Sequence, residues 1–93
     1  MTPKEKGTRF ERRVKNYLLK KGYLVARSAG SLGIFDLIAI PPGGECVYGI
    51  QCKVSGRLSK TEREKMKEAA KRYKIVPLFV TRDGRKLKIE EVR

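Results

Sequence analysis

Two apolar runs flank a Pro-Pro-Gly-Gly turn in the stretch FDLIAIPPGGECVYGIQCK, residues 35–53, and this arrangement constrains the chain more than any other feature. Residues 35–40 and 46–54 are rich in β-branched, aliphatic and aromatic side chains, whereas Pro41, Pro42, Gly43 and Gly44 interrupt either a strand or a helix. The segment therefore reads as a β-hairpin. If its turn is centred on Gly43-Gly44, Asp36 stands directly opposite Gln51, and Lys53 shares the face of Gln51 because side chains alternate along a strand. An acid, an amide and a lysine thus occupy positions where hydrophobic residues would fold more easily.

The remaining chain supplies the frame for that hairpin. Thr2-Pro3-Lys4-Glu5 has the capping-box pattern with proline at the first helical position, and Gly22 is a natural stop, so residues 3–21 read as a helix. Its core stripe is Phe10, Val14, Tyr17 and Leu18. Glu11 falls beside Leu18 at the rim of that stripe, which turns its carboxylate toward the edge of the core. A strand over residues 23–28 and a small-residue loop over 29–33 lead into the hairpin. Ser59-Lys60-Thr61-Glu62 is a second capping box, opening a helix through about Tyr73 whose modest apolar face is Met66, Ala69, Ala70 and Tyr73. A strand over 75–81 follows, with Pro77 suggesting an edge or bulge position, and Asp83-Gly84 turns into a last strand near 86–92. The order is αβββαββ, with a parallel crossover from the third strand through the second helix to the fourth. The expected fold is an α/β one, a mixed sheet flanked by helices.

Composition decides what such a fold could do. The 93 residues read as one domain, 1–93, with a single thin core. There are 23 Lys and Arg against 10 Asp and Glu, a net charge of +13, and that much self-repulsion calls for a polyanionic partner, with nucleic acid the leading candidate. No apolar run approaches the roughly 20 residues of a membrane span, and the start does not lead into an apolar leader, so no membrane partner and a cytoplasmic address are expected. The absence of histidine removes zinc sites of the usual kind and His-dependent triads. Cys46 and Cys52 lie in one predicted strand, roughly 20 Å apart, too far to pair, and read as small buried hydrophobes.

Chemistry then rests on carboxylates, lysines or a metal. A cross-strand acid and amide, a neighbouring lysine and a carboxylate on the helix rim are what a divalent cation and a phosphate require: oxygen ligands for the metal and an ammonium for the attacking water or the developing charge. The D…QxK pattern by itself also fits an ordinary polar strand face.

The stretch KGTRFERRVKNYLLKKGYLVARSAGSLGIFDLIAI followed by GIQCKVS resembles the archaeal-type Holliday-junction resolvases, also carried by some viruses, within the PD-(D/E)xK nuclease superfamily. The likeness runs through about the first 55 residues in continuous order and implies a restriction-endonuclease-like fold. It implies a magnesium-dependent endodeoxyribonuclease (manganese being an alternative) that resolves four-way junctions as a homodimer on branched or double-stranded DNA, in an archaeal or viral setting. Residue by residue, it implies Asp36 and Gln51 as metal ligands with Glu11 reaching the same site, Lys53 as the motif lysine, and Arg12 and Arg27 at DNA phosphates and in catalysis. Ser28, Gly30 and Ser31 match the small-residue loop near the site. Arg9 and Lys60 are added as phosphate contacts from the basic surface of the two helices.

One position departs from the pattern. Gln51 stands where glutamate is usual; its amide oxygen can still bind a hard cation, at the loss of one negative charge. Two other readings therefore accompany the resolvase: a less selective repair or restriction-like endonuclease, and a noncatalytic DNA-binding module of the same fold. Ile75, Leu78, Phe79 and Leu87 on the last strands are either a dimer surface or the domain's own core.

Overall fold

The computed structural model describes residues 3–28 and 34–93, with side chains from residue 7 onward. Thr2, of the first capping box, and Ala29, Gly30 and Ser31, of the small-residue loop, lie outside the described residues. The elements follow the expected order: α1 Pro3–Lys20, β1 Leu24–Arg27, β2 Leu37–Ile40, β3 Tyr48–Cys52, α2 Lys60–Tyr73, β4 Val76–Asp83 and β5 Lys86–Glu91. The five strands form one mixed sheet in sequential order; β3 and β4 run parallel across α2 and every other neighbouring pair is antiparallel.

The hairpin has the register expected of it. Leu37 pairs with Ile50, Ile38 with Gly49 and Ala39 with Tyr48. The turn closes through Gly44 N–H donating to the Pro41 carbonyl at 3.0 Å, and Gly43 and Gly44 take φ of 95° and 68°, a region that glycine enters without a Cβ clash.

Each face of the sheet carries one helix, so there are two hydrophobic clusters in place of the single core expected. Phe10, Val14 and Leu18 of α1 pack on Leu37, Ala39, Ile50 and Val80. On the opposite face Met66 of α2 packs with Phe35, Phe79 and Val92. Burying each such large side chain contributes roughly 1.5–3 kcal/mol, and alternation along β2 to β4 feeds both clusters at once. The faces meet closely at Gly49, where a Cβ would come within 2.8 Å of the Phe35 ring and of Ile75. Neither helix presents its whole expected stripe to the sheet. Tyr17 and Tyr73 are 38% and 59% exposed, each ring lying beside a cation, Lys21 and Arg72, at its own helix surface.

Pro77 corrects an expectation. It sits in β4, a central strand, and it is buried. Val76 N–H donates to Val47 on the β3 side, so alternation directs the missing N–H of Pro77 toward β5. There the ladder has already ended at Leu78–Glu91, and the Pro77 carbonyl still accepts Val92 N–H at 2.9 Å. The last strands otherwise serve the domain itself: Phe79 is buried, and Ile75, Leu78 and Leu87 pack against the two clusters. Among the described residues no helix is long and apolar enough to cross a membrane.

Candidate active site

The site begins with an irregularity in the hairpin. The ladder pairs Leu37 with Ile50, yet the N–H of Asp36 also goes to the Ile50 carbonyl, at 2.7 Å. Two residues of one strand thus oppose one of the other, which is the pattern of a β-bulge. Phe35 and Leu37, which simple alternation would put on one face, belong to opposite clusters as a result. The direct Asp36–Gln51 pair expected from the sequence is therefore replaced: the bulge re-aims Asp36 toward Glu11 of α1, while alternation from Gly49 keeps Gln51 on the α2 face.

Asp36 remains next to Gln51 through the backbone. Its Oδ2 accepts the N–H of Cys52 at 2.8 Å, the amide of the peptide bond that joins Gln51 to Cys52. The Asp36 carboxyl is pushed up to about 6, first by burial, while the Cys52 N–H bond lowers it; the charge of Glu11 and a hydrogen bond with Glu11 raise it, and the Arg27 guanidinium lowers it. Arg27 in turn donates to Glu11 Oε2 at 3.2 Å, so α1, β1 and the mouth of β2 meet in one acid–acid–base group. Burial and the two acids raise the Cys52 thiol above its ordinary range. Both cysteines are free.

Lys53 belongs to a second group. Its backbone N–H donates to the Val80 carbonyl at 3.0 Å, continuing the attachment of β3 to β4 beyond the strand. Its Nζ lies 2.8 Å from Glu62 Oε1, with the Arg57 carbonyl at 3.5 Å. Glu62 is also the capping-box residue of α2, and its carboxyl is held below the usual range by Lys53 and then by the Ser59 N–H. Sequence reasoning recognised Glu62 as a cap and missed this contact, because the capping signature is local while the lysine comes from the end of a strand nine residues earlier.

The remaining predicted residues are distributed around these groups. Arg9 and Arg12 lie exposed on α1 and, with Arg13, Asn16 and Lys20, line a shallow concavity. Arg13 also donates to the Arg85 carbonyl, tying α1 to the β4–β5 turn. Ser28 N–H donates to the Asp36 carbonyl at 2.9 Å, and the Ser28 hydroxyl is buried without a partner among the described residues. Lys60 is exposed at the start of α2. Ser31 lies outside the described residues.

The donor set suits a hard cation. Glu11 and Asp36 bring two carboxylates together in a half-buried setting where their mutual repulsion is offset by one arginine. Among the described residues no cluster of three or more acids, cysteines or histidines could hold a metal, so the chain's own acids at this site number two.

A five-stranded mixed sheet with a helix on each face, carrying this acid pair and lysine, defines an α/β fold of the nuclease kind. A solved structure described as Archaeoglobus fulgidus Hjc, a Holliday junction resolvase from an archaeal hyperthermophile, superposes with a TM-score of 0.79 at 27% identity, covering 94% of this chain and 73% of that one. The family described as archaeal Holliday junction resolvase (Hjc) matches residues 2–92, and the chain belongs to that family. A curated relative, crossover junction endodeoxyribonuclease Hjc of Methanocaldococcus jannaschii, is 42% identical over 65 residues, 66% of this chain and 47% of the relative. The matched part thus spans about half the length of that relative.

Proposed function

We propose that the chain is a metal-dependent, structure-selective DNA endonuclease that resolves four-way junctions, working as a single nuclease domain over residues 1–93. The observation that carries this reading is the acid pair at the mouth of β2: Asp36, re-aimed by a bulge toward Glu11, with its carboxyl raised to about 6. A protein gains nothing in stability from two facing carboxylates in a half-buried place, and such perturbed acids cluster at functional sites. In this reading Asp36, Glu11 and the amide oxygen of Gln51 hold the cation, magnesium or manganese. When bound, that cation lowers the pKa of a water and offsets charge on the scissile phosphate.

The chain's own residues do the rest. Cys52 N–H fixes one Asp36 oxygen and so orients the carboxyl that would hold the metal. Arg27 steadies Glu11 and, more than half exposed, can turn to a phosphate. Lys53 brings an ammonium to the phosphate or to the attacking water, stabilising charge that develops during in-line hydrolysis. Arg9, Arg12 and Lys60 hold backbone phosphates by charge, without reading bases, which suits recognition of DNA shape. Two strands of a junction are related by a two-fold axis, and a homodimer presenting two such sites matches it. A cytoplasmic address accords with a DNA substrate.

Labelled four-way junction, flap, nicked and linear duplex DNA, each incubated with magnesium, manganese or EDTA, provide the test. Paired symmetric nicks confined to junctions and absent in EDTA are expected. Metal-dependent cutting of every substrate would replace the reading with a less selective nuclease. Binding without cutting in any metal would replace it with a DNA-binding module in which the charge missing at Gln51 has cost the chain its cation.

A further inference from the structure

Glu62 makes more contacts than a helix cap requires. Its Oε1 accepts the Ser59 backbone N–H at 2.9 Å, completing the capping box, and the same oxygen accepts Lys53 Nζ at 2.8 Å. Ser59 Oγ meanwhile accepts the Glu62 N–H at 3.1 Å. Glu62 is therefore held by Ser59 at both its backbone N–H and its Oε1, the oxygen that meets the lysine. Lys53 is held as firmly at its root, where its N–H reaches Val80 in the adjacent strand. With side-chain exposures of 30% and 26% the pair is reached by solvent, and ion pairs of this kind contribute little to stability. Stability does not account for it.

We infer that Glu62 is a positioning residue for Lys53: the Glu62 carboxylate clamps the ammonium at the end of β3, in one of the many rotamers open to a lysine, ready for the scissile phosphate. This rests on the nuclease reading above. It carries a consequence the sequence motif lacks: the start of α2 becomes part of the active site, and its cap and its clamp can be separated by substitution. Glutamine also serves at the third position of a capping box, so Glu62→Gln keeps the cap and removes the charge. Ser59→Ala weakens the cap and leaves the Glu62–Lys53 contact in place.

The two variants should behave in opposite ways. Glu62→Gln is expected to nick junction DNA about 10-fold or more slowly in single turnover, a loss of the size seen for weakened general acid–base or electrostatic groups, with junction affinity in EDTA and melting temperature unchanged. Ser59→Ala is expected to melt lower and, below its melting range, to nick at the wild-type rate. Acetylation of Lys53 by an N-hydroxysuccinimide ester, followed by peptide mass spectrometry, reads the clamp without any nuclease activity and should be faster in Glu62→Gln than in wild type. Nicking and labelling of Glu62→Gln at wild-type rates would overturn the inference, as would a nicking defect in Ser59→Ala equal to that of Glu62→Gln. A wild-type chain that cuts nothing would end the nuclease reading, and the labelling rates alone would then decide whether Glu62 clamps Lys53.

Discussion

The two halves of the candidate site handle charge in opposite ways. On the α1 side Glu11 and Asp36 face each other with Arg27 as their basic partner, and the Asp36 carboxyl is raised to about 6. On the α2 side Lys53 meets Glu62 at 2.8 Å and the Glu62 carboxyl is lowered. The first half is short of positive charge and the second is balanced. In the proposed site a cation would complete the first, and the ammonium of the second would serve the phosphate. One strand, β3, and its extension serve both: the backbone amide at Cys52 orients the acid on one face, and alternation sends Lys53 to the other.

The largest expected effect breaks the balanced half. Lys53→Ala should reduce junction nicking about 100-fold or more, the scale of losing a preorganised charge at the transition state, while junction affinity changes little. Gel-shift and single-turnover assays on the same preparation check it, and affinity lost in parallel with cutting would make Lys53 a binding or structural residue.

The second effect exposes the unbalanced half through stability. The folded-state value of Asp36, about 6, lies above the ordinary 3.8, so its favourable contribution is fully present below about pH 4 and is lost as pH rises through 6. In EDTA, Asp36→Asn should accordingly melt a few degrees above wild type at pH 8, a shift typical of about 1 kcal/mol in a domain this small, with the gap closing near pH 4. Equal melting temperatures at both ends of the range would remove the strain ascribed to the acid pair.

How much of this was legible in the sequence follows from which signals are local. The hairpin register was, because Pro41 to Gly44 fix the turn and the flanking strands alternate; Leu37 does pair with Ile50. So was the start of α2, since Ser59 and Glu62 satisfy each other within one turn. The rim position of Glu11 followed from helical periodicity alone. The bulge at Asp36 was not legible, because an extra residue leaves no mark in the alternation of Ile34 to Ile40 and arises only where β2 meets β3. Nor were the Lys53–Glu62 contact and the central place of Pro77, which depend on how α2 and β5 dock.

Gln51 gives a smaller effect that sharpens the comparison. If the Gln51 oxygen is a ligand of the proposed cation, a carboxylate in its place should strengthen metal binding. Gln51→Glu is thus expected to lower the magnesium concentration for half-maximal nicking severalfold, and Gln51→Ala to raise it. Identical magnesium titrations in all three proteins would take Gln51 out of the site.

The smallest effect concerns the surface that serves both halves equally. Arg12→Ala should reduce the slope of log affinity against log salt by about 1, as expected for one lost phosphate contact, with no change in the metal requirement. An unchanged slope would leave Arg12 as a solvated surface residue.

Calorimetric titration of magnesium or manganese into wild type and Asp36→Asn, with junction nicking measured on the same samples, tests the acid pair as a cation site. A saturable cation site is expected in wild type and should disappear together with nicking in Asp36→Asn, while junction binding in EDTA persists in both. Unchanged cation binding in Asp36→Asn, or nicking by wild type in EDTA, would contradict it.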